Sequence, residues 1–175
     1  VGRQLIKNKI LGGREVPAGH YTPPFPPPPN AGVRRPPVKG APLKVIVSVH
    51  GGPEGQERPG FNPLYQYYLS RGYAILATNV RGSTGYGKEF THLDDVRKRE
   101  DSVKDMKYAV DWLTIKEAAD RHKIAVMGGS YGGYMTLAAI TLYPDLWSAA
   151  VSTVGIRNWE SFFKNTSGYR RRQRE

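Results

Sequence analysis

A serine flanked by glycines is the first point in this sequence where residue types and spacing suit covalent chemistry. Residues 128–132, Gly-Gly-Ser-Tyr-Gly, match G-x-S-x-G between an apolar run of strand length and one of helical length. A serine at such a turn is held in a strained backbone conformation that exposes its hydroxyl. The N–H groups at the start of the next helix point toward the negative charge that develops during acyl transfer. The pattern predicts Ser130 as a nucleophile. The alternative is a glycine-rich turn that binds an anion or only packs.

A second glycine-rich loop follows a predicted strand at 43–49. It reads His50-Gly51-Gly52-Pro53 and is similar to the H-G-G-G loop that supplies an oxyanion donor in lipases and esterases. Glycines let the backbone approach a substrate oxygen. The N–H groups of Gly52 and Tyr131 are therefore the two predicted oxyanion donors, and His50 is assigned to the same loop. The alternative is an ordinary Gly-Pro turn.

The elements that must position these loops alternate between strand and helix. Apolar runs without polar alternation predict buried strands, and apolar residues at helical spacing predict helices. The predicted strands are 43–49, 73–78, 124–127 and 149–154, and the predicted helices are 63–71, one that begins at Ser102 with Asp105 as a partial capping box, and 131–143. This order predicts an α/β fold, with a parallel sheet and helices on both faces.

Three segments together resemble the prolyl oligopeptidase family, most of all its acylaminoacyl-peptidase and dipeptidyl-peptidase branch. They are the His-Gly-Gly-Pro loop, the loop Asn79–Gly87 and the run Gly-Gly-Ser-Tyr-Gly-Gly-Tyr at 128–134. The resemblance covers about residues 43–175. It implies the α/β-hydrolase catalytic domain of a serine peptidase for short peptides, which in family members follows a β-propeller. We assign Asn79–Gly87 no catalytic role beyond shaping the site.

The acid and the base that would complete a catalytic triad are missing from this sequence. In this fold the triad follows the order Ser, Asp, His. No histidine follows Ser130, and Asp145, the one Asp after it, follows a proline and is predicted to be a turn residue. The four histidines precede the serine: His50 in the loop, His20 in the proline-rich segment, and His92 and His122, which we expect at the surface. We therefore expect a fragment, truncated at the C-terminal side of the sheet and inactive alone.

Residues 1–42 are basic and rich in proline. Ten of the 14 prolines lie between Pro17 and Pro42, and proline disfavours helix interiors and central strands. We expect a poorly ordered, polyproline-like spacer here, with the partial catalytic domain spanning 43–175. A docking ligand for an SH3-type or WW-type domain is the alternative.

The net charge of +11 lies at the two ends of the chain, since residues 45–163 carry equal numbers of basic and acidic side chains. Basic ends on a neutral body argue against a nucleic-acid surface. No apolar run approaches the roughly 18 residues of a membrane helix, so we expect no membrane association. Cysteine is absent, which favours the cytoplasm.

The partners expected from the sequence are few. No histidine pair has metal-ligand spacing and no cofactor motif is present, so we expect neither a metal nor a cofactor. A peptide is the expected substrate, while the cleaved bond and the oligomeric state stay open. Two alternatives remain: an esterase or lipase with the same elbow and loop, and a non-catalytic interaction module that uses the proline-rich segment.

Overall fold

The computed structural model describes residues 2–9, 13–24 and 40–166. The strands are β1 (Gly2–Lys9), β2 (Glu15–Thr22), β3 (Leu43–Val49), β4 (Tyr73–Thr78), β5 (Ala119–Gly129) and β6 (Ala149–Thr153). The α-helices are α1 (Pro63–Ser70), α2 (Lys88–Thr91), α3 (Arg99–Lys116), α4 (Tyr131–Leu142) and α5 (Trp159–Lys164). Short 3-10 turns precede α3 at Val96–Lys98 and follow α4 at Pro144–Leu146.

The strands form one sheet in the order β1-β2-β4-β3-β5-β6. Strands β3 to β6 run parallel to one another, whereas β2 is antiparallel to β4 and β1 is antiparallel to β2. The predicted parallel arrangement is confirmed for these four strands, and the sheet as a whole is mixed. β3, β4 and residues 124–127 of β5 are continuous apolar runs, which is typical of parallel strands that helices cover. β5 also extends to the polar residues 120–123, which the prediction of a strand at 124–127 did not include.

Helices cover both faces of the sheet, as predicted. α3 and α4 bury one face around Val47 and Met135, and α1 covers the other face with Tyr65 and Leu69. The start of α1 is fixed by Asn62, whose side chain accepts hydrogen bonds from two main-chain N–H groups of the first turn. This two-layer cover holds the carboxyl ends of β3, β4 and β5 at one edge, where the glycine-rich loops begin.

The predicted start of α3 at Ser102 is wrong, because the helix begins at Arg99. The 3-10 turn Val96–Lys98 runs directly into it, so no side-chain cap is needed at Ser102. The Ser102 hydroxyl instead donates to the main-chain carbonyl of Arg81 at 3.4 Å. Asp105, predicted to close a capping box, binds the Arg81 guanidinium.

The expectation of a poorly ordered segment at 1–42 is wrong for residues 2–9 and 15–22. β1 and β2 pair with each other, and β2 extends the sheet along β4. Ala18 is buried against the α3 face and Tyr21 against the α1 face, so β2 contributes to both cores. Order therefore comes from pairing and burial that the proline and charge content does not reveal. Residues 25–39 lie outside the described residues, and there the expectation stays a prediction.

β6 is the last strand at one edge of the sheet. It pairs with β5 on its inner side, and no strand lies on its outer side in the part of the chain that the structure describes. All of its residues are exposed, and Val151 keeps 55% of its accessible surface.

Within the ranges 2–9, 13–24 and 40–166, no helix combines the length and the apolar character that a bilayer crossing demands.

Candidate active site

Ser130 lies at a sharp turn between β5 and α4, at the position that the motif predicts. Its backbone has φ +54° and ψ −116°, a combination that costs a non-glycine residue about 1–3 kcal/mol. The Ser130 N–H donates to the carbonyl of Thr153 at 3.0 Å, and the Ser130 carbonyl accepts from the N–H of Tyr134 at 3.1 Å. Ser130 is exposed, so β6 and α4 together hold it where a substrate can reach it.

Two glycines around Ser130 leave no room for a side chain. A Cβ atom on Gly132 would overlap the carbonyl of Val49, and one on Gly128 would overlap the carbonyl of Gly132. Gly129 differs, because the nearest contact of a Cβ atom there would be an ordinary 3.8 Å. The glycines at the ends of the G-x-S-x-G motif therefore permit the close approach of β3, β5 and α4.

The His-Gly-Gly-Pro loop lies directly beside this elbow. It follows β3, the parallel neighbour of β5, and a Cβ atom on Gly51 would lie 3.6 Å from the Cβ of Ser130. Gly52 has φ +143°, a value that favours glycine. Tyr131 is the first residue of α4, where an N–H group has no acceptor within the helix. The two loops thus meet, and the roles of Gly52 and Tyr131 as oxyanion donors stay a prediction.

His50 contacts its own loop and a neighbouring one. Its Nδ1 lies 2.7 Å from the carbonyl oxygen of Gly51, and its Nε2 lies 2.9 Å from the hydroxyl oxygen of Ser83. Burial lowers the pKa of His50, and the bond to Gly51 opposes that shift. In the neutral ring Nδ1–H donates to Gly51. Nε2 faces the Ser83 hydroxyl, whose one proton is shared between Nε2 and the carbonyl of Val80, 2.6 Å from the Ser83 oxygen. His50 therefore braces the loop against the segment that follows β4.

The loop Asn79–Gly87 holds the chain that continues from the His-Gly-Gly-Pro loop. The Asn79 side chain accepts from the N–H of Glu57 at 2.7 Å and donates to the carbonyl of the same residue at 3.1 Å. The N–H of Thr84 donates to the carbonyl of Gly55 at 2.8 Å. These bonds give a structural basis to the shaping role expected for this loop.

A buried ion pair anchors the same loop, and our sequence reasoning missed it. Nη2 of Arg81 donates to Oδ1 of Asp105 at 2.7 Å, and Nε donates to Oδ2 at 2.9 Å. The main-chain N–H of Arg81 also donates to Asp105, at 3.2 Å. Burial raises the pKa of Asp105 and the Arg81 guanidinium opposes that shift. The sequence features that could have indicated this pair are an arginine just after the predicted strand 73–78 and an aspartate inside the helix predicted to begin at Ser102.

The side chain of Tyr131 is buried behind the elbow, and no motif pointed to its partners. Its O–H donates to Oδ2 of Asp94 at 3.2 Å. The Arg99 guanidinium lies 5.4 Å from the Tyr131 ring centre and 5.3 Å from that of Trp159. Burial raises the pKa of Asp94, and the positive charge of Arg99 opposes that shift. The rings of Tyr134 and Trp159 pack edge-to-face, with their centres 5.0 Å apart. An aromatic cluster therefore adjoins the site.

The other histidines are placed elsewhere. His20, assigned above to the proline-rich segment, is a buried residue of β2 with Nδ1 3.4 Å from a carboxylate oxygen of Glu117. His92 and His122 are exposed, as predicted. Asp145 lies in the turn after α4, also as predicted.

The arrangement offers part of the chemistry of acyl transfer. It combines an exposed hydroxyl at a strained elbow with a glycine-rich loop and the start of a helix. Among the described residues no hydrogen bond joins the Ser130 hydroxyl to a histidine, so no general base is in place there. The same residues hold no group of three or more His, Asp or Glu suited to a metal ion.

Comparisons with known proteins place these features in one family. Dipeptidyl peptidase family member 6 of Caenorhabditis elegans is 41% identical over 121 residues, which are 69% of this chain and 16% of the relative. Dipeptidyl aminopeptidase BIII of Pseudoxanthomonas mexicana is 37% identical over 135 residues, which cover 71% of this chain and 20% of the relative. The chain thus spans a fifth or less of the length of these relatives.

The fold is similar to that of solved structures from the same family. The solved structure of Pyrococcus horikoshii acylaminoacyl peptidase matches with a TM-score of 0.78 at 30% identity, over 93% of this chain and 25% of that chain. The fold is that of the α/β hydrolases. The sequence profile described as the prolyl oligopeptidase family matches residues 59–175, which include the elbow and most of the chain. This chain therefore belongs to the prolyl oligopeptidase family.

Proposed function

We propose that this chain provides the nucleophile and the oxyanion hole of a serine peptidase that hydrolyses short peptides through an acyl-enzyme on Ser130. The observation that carries this proposal is the strained, exposed Ser130 directly beside the His-Gly-Gly-Pro loop. Similar proteins are named as dipeptidyl, dipeptidyl amino- and acylaminoacyl peptidases, which supports a peptide substrate.

In the proposed reaction the Ser130 oxygen attacks the carbonyl carbon of the scissile bond. The carbonyl oxygen becomes negative and accepts hydrogen bonds from the N–H groups of Gly52 and Tyr131. Each hydrogen bond stabilises the transition state by about 3 kcal/mol. The carbon–nitrogen bond then breaks, and the leaving amine takes the proton that the serine lost. Water hydrolyses the resulting ester, which releases the acid and restores the Ser130 hydroxyl.

The proton transfers in this scheme need a base, and we infer that residues 1–175 do not supply it. A serine hydroxyl is a weak nucleophile until a neighbouring base takes its proton. We propose that the triad Asp and His belong to a part of the protein outside these residues, and that residues 1–175 alone are a poor catalyst. With the base supplied, cleavage of peptide bonds favours a peptidase, and cleavage of esters without cleavage of peptides favours an esterase.

Acetylation by p-nitrophenyl acetate tests the nucleophile without a leaving group that needs a proton. Purified chain is treated at alkaline pH, and ester-linked acetyl groups are located by mass spectrometry. We expect Ser130 to acquire acetyl at least tenfold faster than Ser161, an exposed serine in the same sample, because the oxyanion donors act on Ser130 alone. Ser130→Ala identifies the peptide. Equal rates at Ser130 and Ser161 would overturn the proposal.

A further inference from the structure

Side chains behind the elbow connect the two loops that carry the predicted oxyanion donors. On one side the Ser83 hydroxyl oxygen lies 2.9 Å from Nε2 of His50. On the other side the Tyr131 O–H donates to Asp94 at 3.2 Å. The two links meet at Gly82, which precedes Ser83 and whose missing side chain leaves the space that the Asp94 carboxylate occupies. A continuous set of contacts thus runs from the His-Gly-Gly-Pro loop to the residue after the nucleophile.

We propose that Asp94 is a positioning residue that fixes the direction of the Tyr131 N–H group relative to the His-Gly-Gly-Pro loop. The proposal rests on the proposed function, because that direction matters to the reaction only if the N–H binds an oxyanion. Asp94 itself is 2% exposed and behind Tyr131, so it acts through the tyrosine and does not touch substrate.

Geometry explains why the far end of a side chain controls a main-chain N–H here. Tyr131 follows a residue in a strained conformation, so the peptide unit that carries its N–H lies next to the strained torsion angles of Ser130. Its ring is stiff and only 1% exposed. A hydrogen bond that fixes the phenol oxygen therefore fixes the first side-chain torsion, and packing around the buried ring fixes the second. Together they hold the orientation of the Cα atom and of the first turn of α4.

The surroundings of Asp94 are specific for this contact. A buried carboxylate persists only where donors and positive charge replace its lost hydration. The Tyr131 O–H is such a donor, and the Arg99 guanidinium, which lies over the Tyr131 ring, supplies favourable charge. Gly82 has φ +93°, and a side chain there would displace the carboxylate. The loop after β4 therefore holds Asp94 in one place, from which it can hold Tyr131.

Three variants of the full chain separate positioning from general stability. Tyr131→Phe removes the phenol oxygen and keeps the ring, Asp94→Ala removes the acceptor, and Asp94→Asn keeps an acceptor oxygen. Tyr65→Phe is the matched control, because the buried Tyr65 O–H donates to Ser48 at 2.9 Å on the opposite face of the sheet. A merely structural role would lower the melting temperature of Tyr131→Phe and Tyr65→Phe alike.

Residual dipolar couplings in ¹⁵N-labelled chain report the direction of the N–H bonds of Tyr131 and Gly52. We expect Tyr131→Phe and Asp94→Ala to change the coupling of Tyr131 relative to Gly52, and Asp94→Asn and Tyr65→Phe to leave it as in the parent. Acetylation of Ser130 relative to Ser161 should fall about tenfold with the first two variants, less than the loss of a whole donor. It should be unchanged with the other two.

An unchanged Tyr131 coupling in folded Tyr131→Phe would overturn the positioning role, as would a change of equal size in Tyr65→Phe. If Asp94→Ala does not fold, Tyr131→Phe decides, because it removes a single oxygen. If Ser130 of the parent is acetylated no faster than Ser161, the proposed function fails instead. The couplings still show whether Asp94 sets the direction of the N–H, so the two failures are distinct.

Discussion

Truncation of Asp105 to alanine leaves the Arg81 guanidinium buried without its main partner. In the native protein Arg81 is 6% exposed and Asp105 is 2% exposed. Removal of one member of a buried ion pair costs about 3–5 kcal/mol, because the remaining charge keeps its desolvation penalty. Asp101 lies 3.5 Å from Nη1 of Arg81 and recovers part of the loss, so we expect the lower end, about 3 kcal/mol.

This loss should be visible in melting and in local exchange. In a domain of this size 1 kcal/mol shifts Tm by about 2–4 °C, so Asp105→Ala should lower Tm by about 6–12 °C. Because Asp105 also accepts the main-chain N–H of Arg81, the loop Asn79–Gly87 should loosen as well. We expect faster hydrogen exchange at the N–H of Thr84, which binds Gly55 in the native loop.

Urea unfolding followed by circular dichroism measures the effect, with Asp111→Ala as the matched control. Asp111 lies on the same helix and pairs with Lys107 at 2.9 Å, but both side chains are 44% exposed, so its loss should cost about 0–1 kcal/mol. The double variant Arg81→Met/Asp105→Leu removes both charges and should be more stable than Asp105→Ala. An Asp105→Ala loss no larger than that of Asp111→Ala would refute the reasoning.

Three other outcomes are expected. Gly132→Ala should prevent normal folding, because its Cβ would overlap the carbonyl of Val49, whereas Gly129→Ala should cost about 1 kcal/mol or less in urea unfolding. Burial lowers the pKa of His20 from its ordinary 6.5. His20 therefore binds a proton more readily in the unfolded chain than in the folded one. The free energy of unfolding should fall as the pH drops below about 6.5, and this fall should be smaller in His20→Gln. Purified chain should cleave a peptide anilide at most about 10³ to 10⁴-fold faster than water, and Ser130→Ala should change this residual rate little, because it comes from the oxyanion donors and from binding.

Each of these outcomes has a clear opposite. A Gly132→Ala protein as stable as Gly129→Ala would show that the elbow has room for a side chain. Stability that rises as the pH drops through 6.5 in the parent but not in His20→Gln would show that His20 takes up its proton more readily in the fold, beside Glu117. Rapid peptide cleavage that Ser130→Ala abolishes would show that a base lies within these residues.

Local sequence patterns were enough to place the elements that carry the elbow. β3, β4 and residues 124–127 of β5 are apolar runs of strand length. A strand followed by G-x-S-x-G and a helix predicts a serine at a sharp turn between the two elements. These features depend on neighbours in the chain, so the sequence displays them directly.

The features that were missed depend on contacts between distant residues. β2 contains glycine and proline, and only its pairing with β4 and the burial of Ala18 and Tyr21 reveal it as a strand. Asp105 resembles a capping residue until Arg81, which lies 24 positions earlier, is placed beside it. The partnership of Asp94 with Tyr131 spans 37 positions. No local pattern signals such pairs.

The exposed outer side of β6 bears on how the protein behaves at high concentration. Among residues 2–9, 13–24 and 40–166, no strand pairs with its outer main-chain groups. These groups and the side chain of Val151 form a template to which another strand can add, and a second copy of the chain carries the same template. Lysine at position 151 would place a charge on that surface and discourage the addition. We therefore expect β6 to be one site at which copies of this chain associate, and the net charge of +11, which lies at the ends of the chain, to offer little protection there.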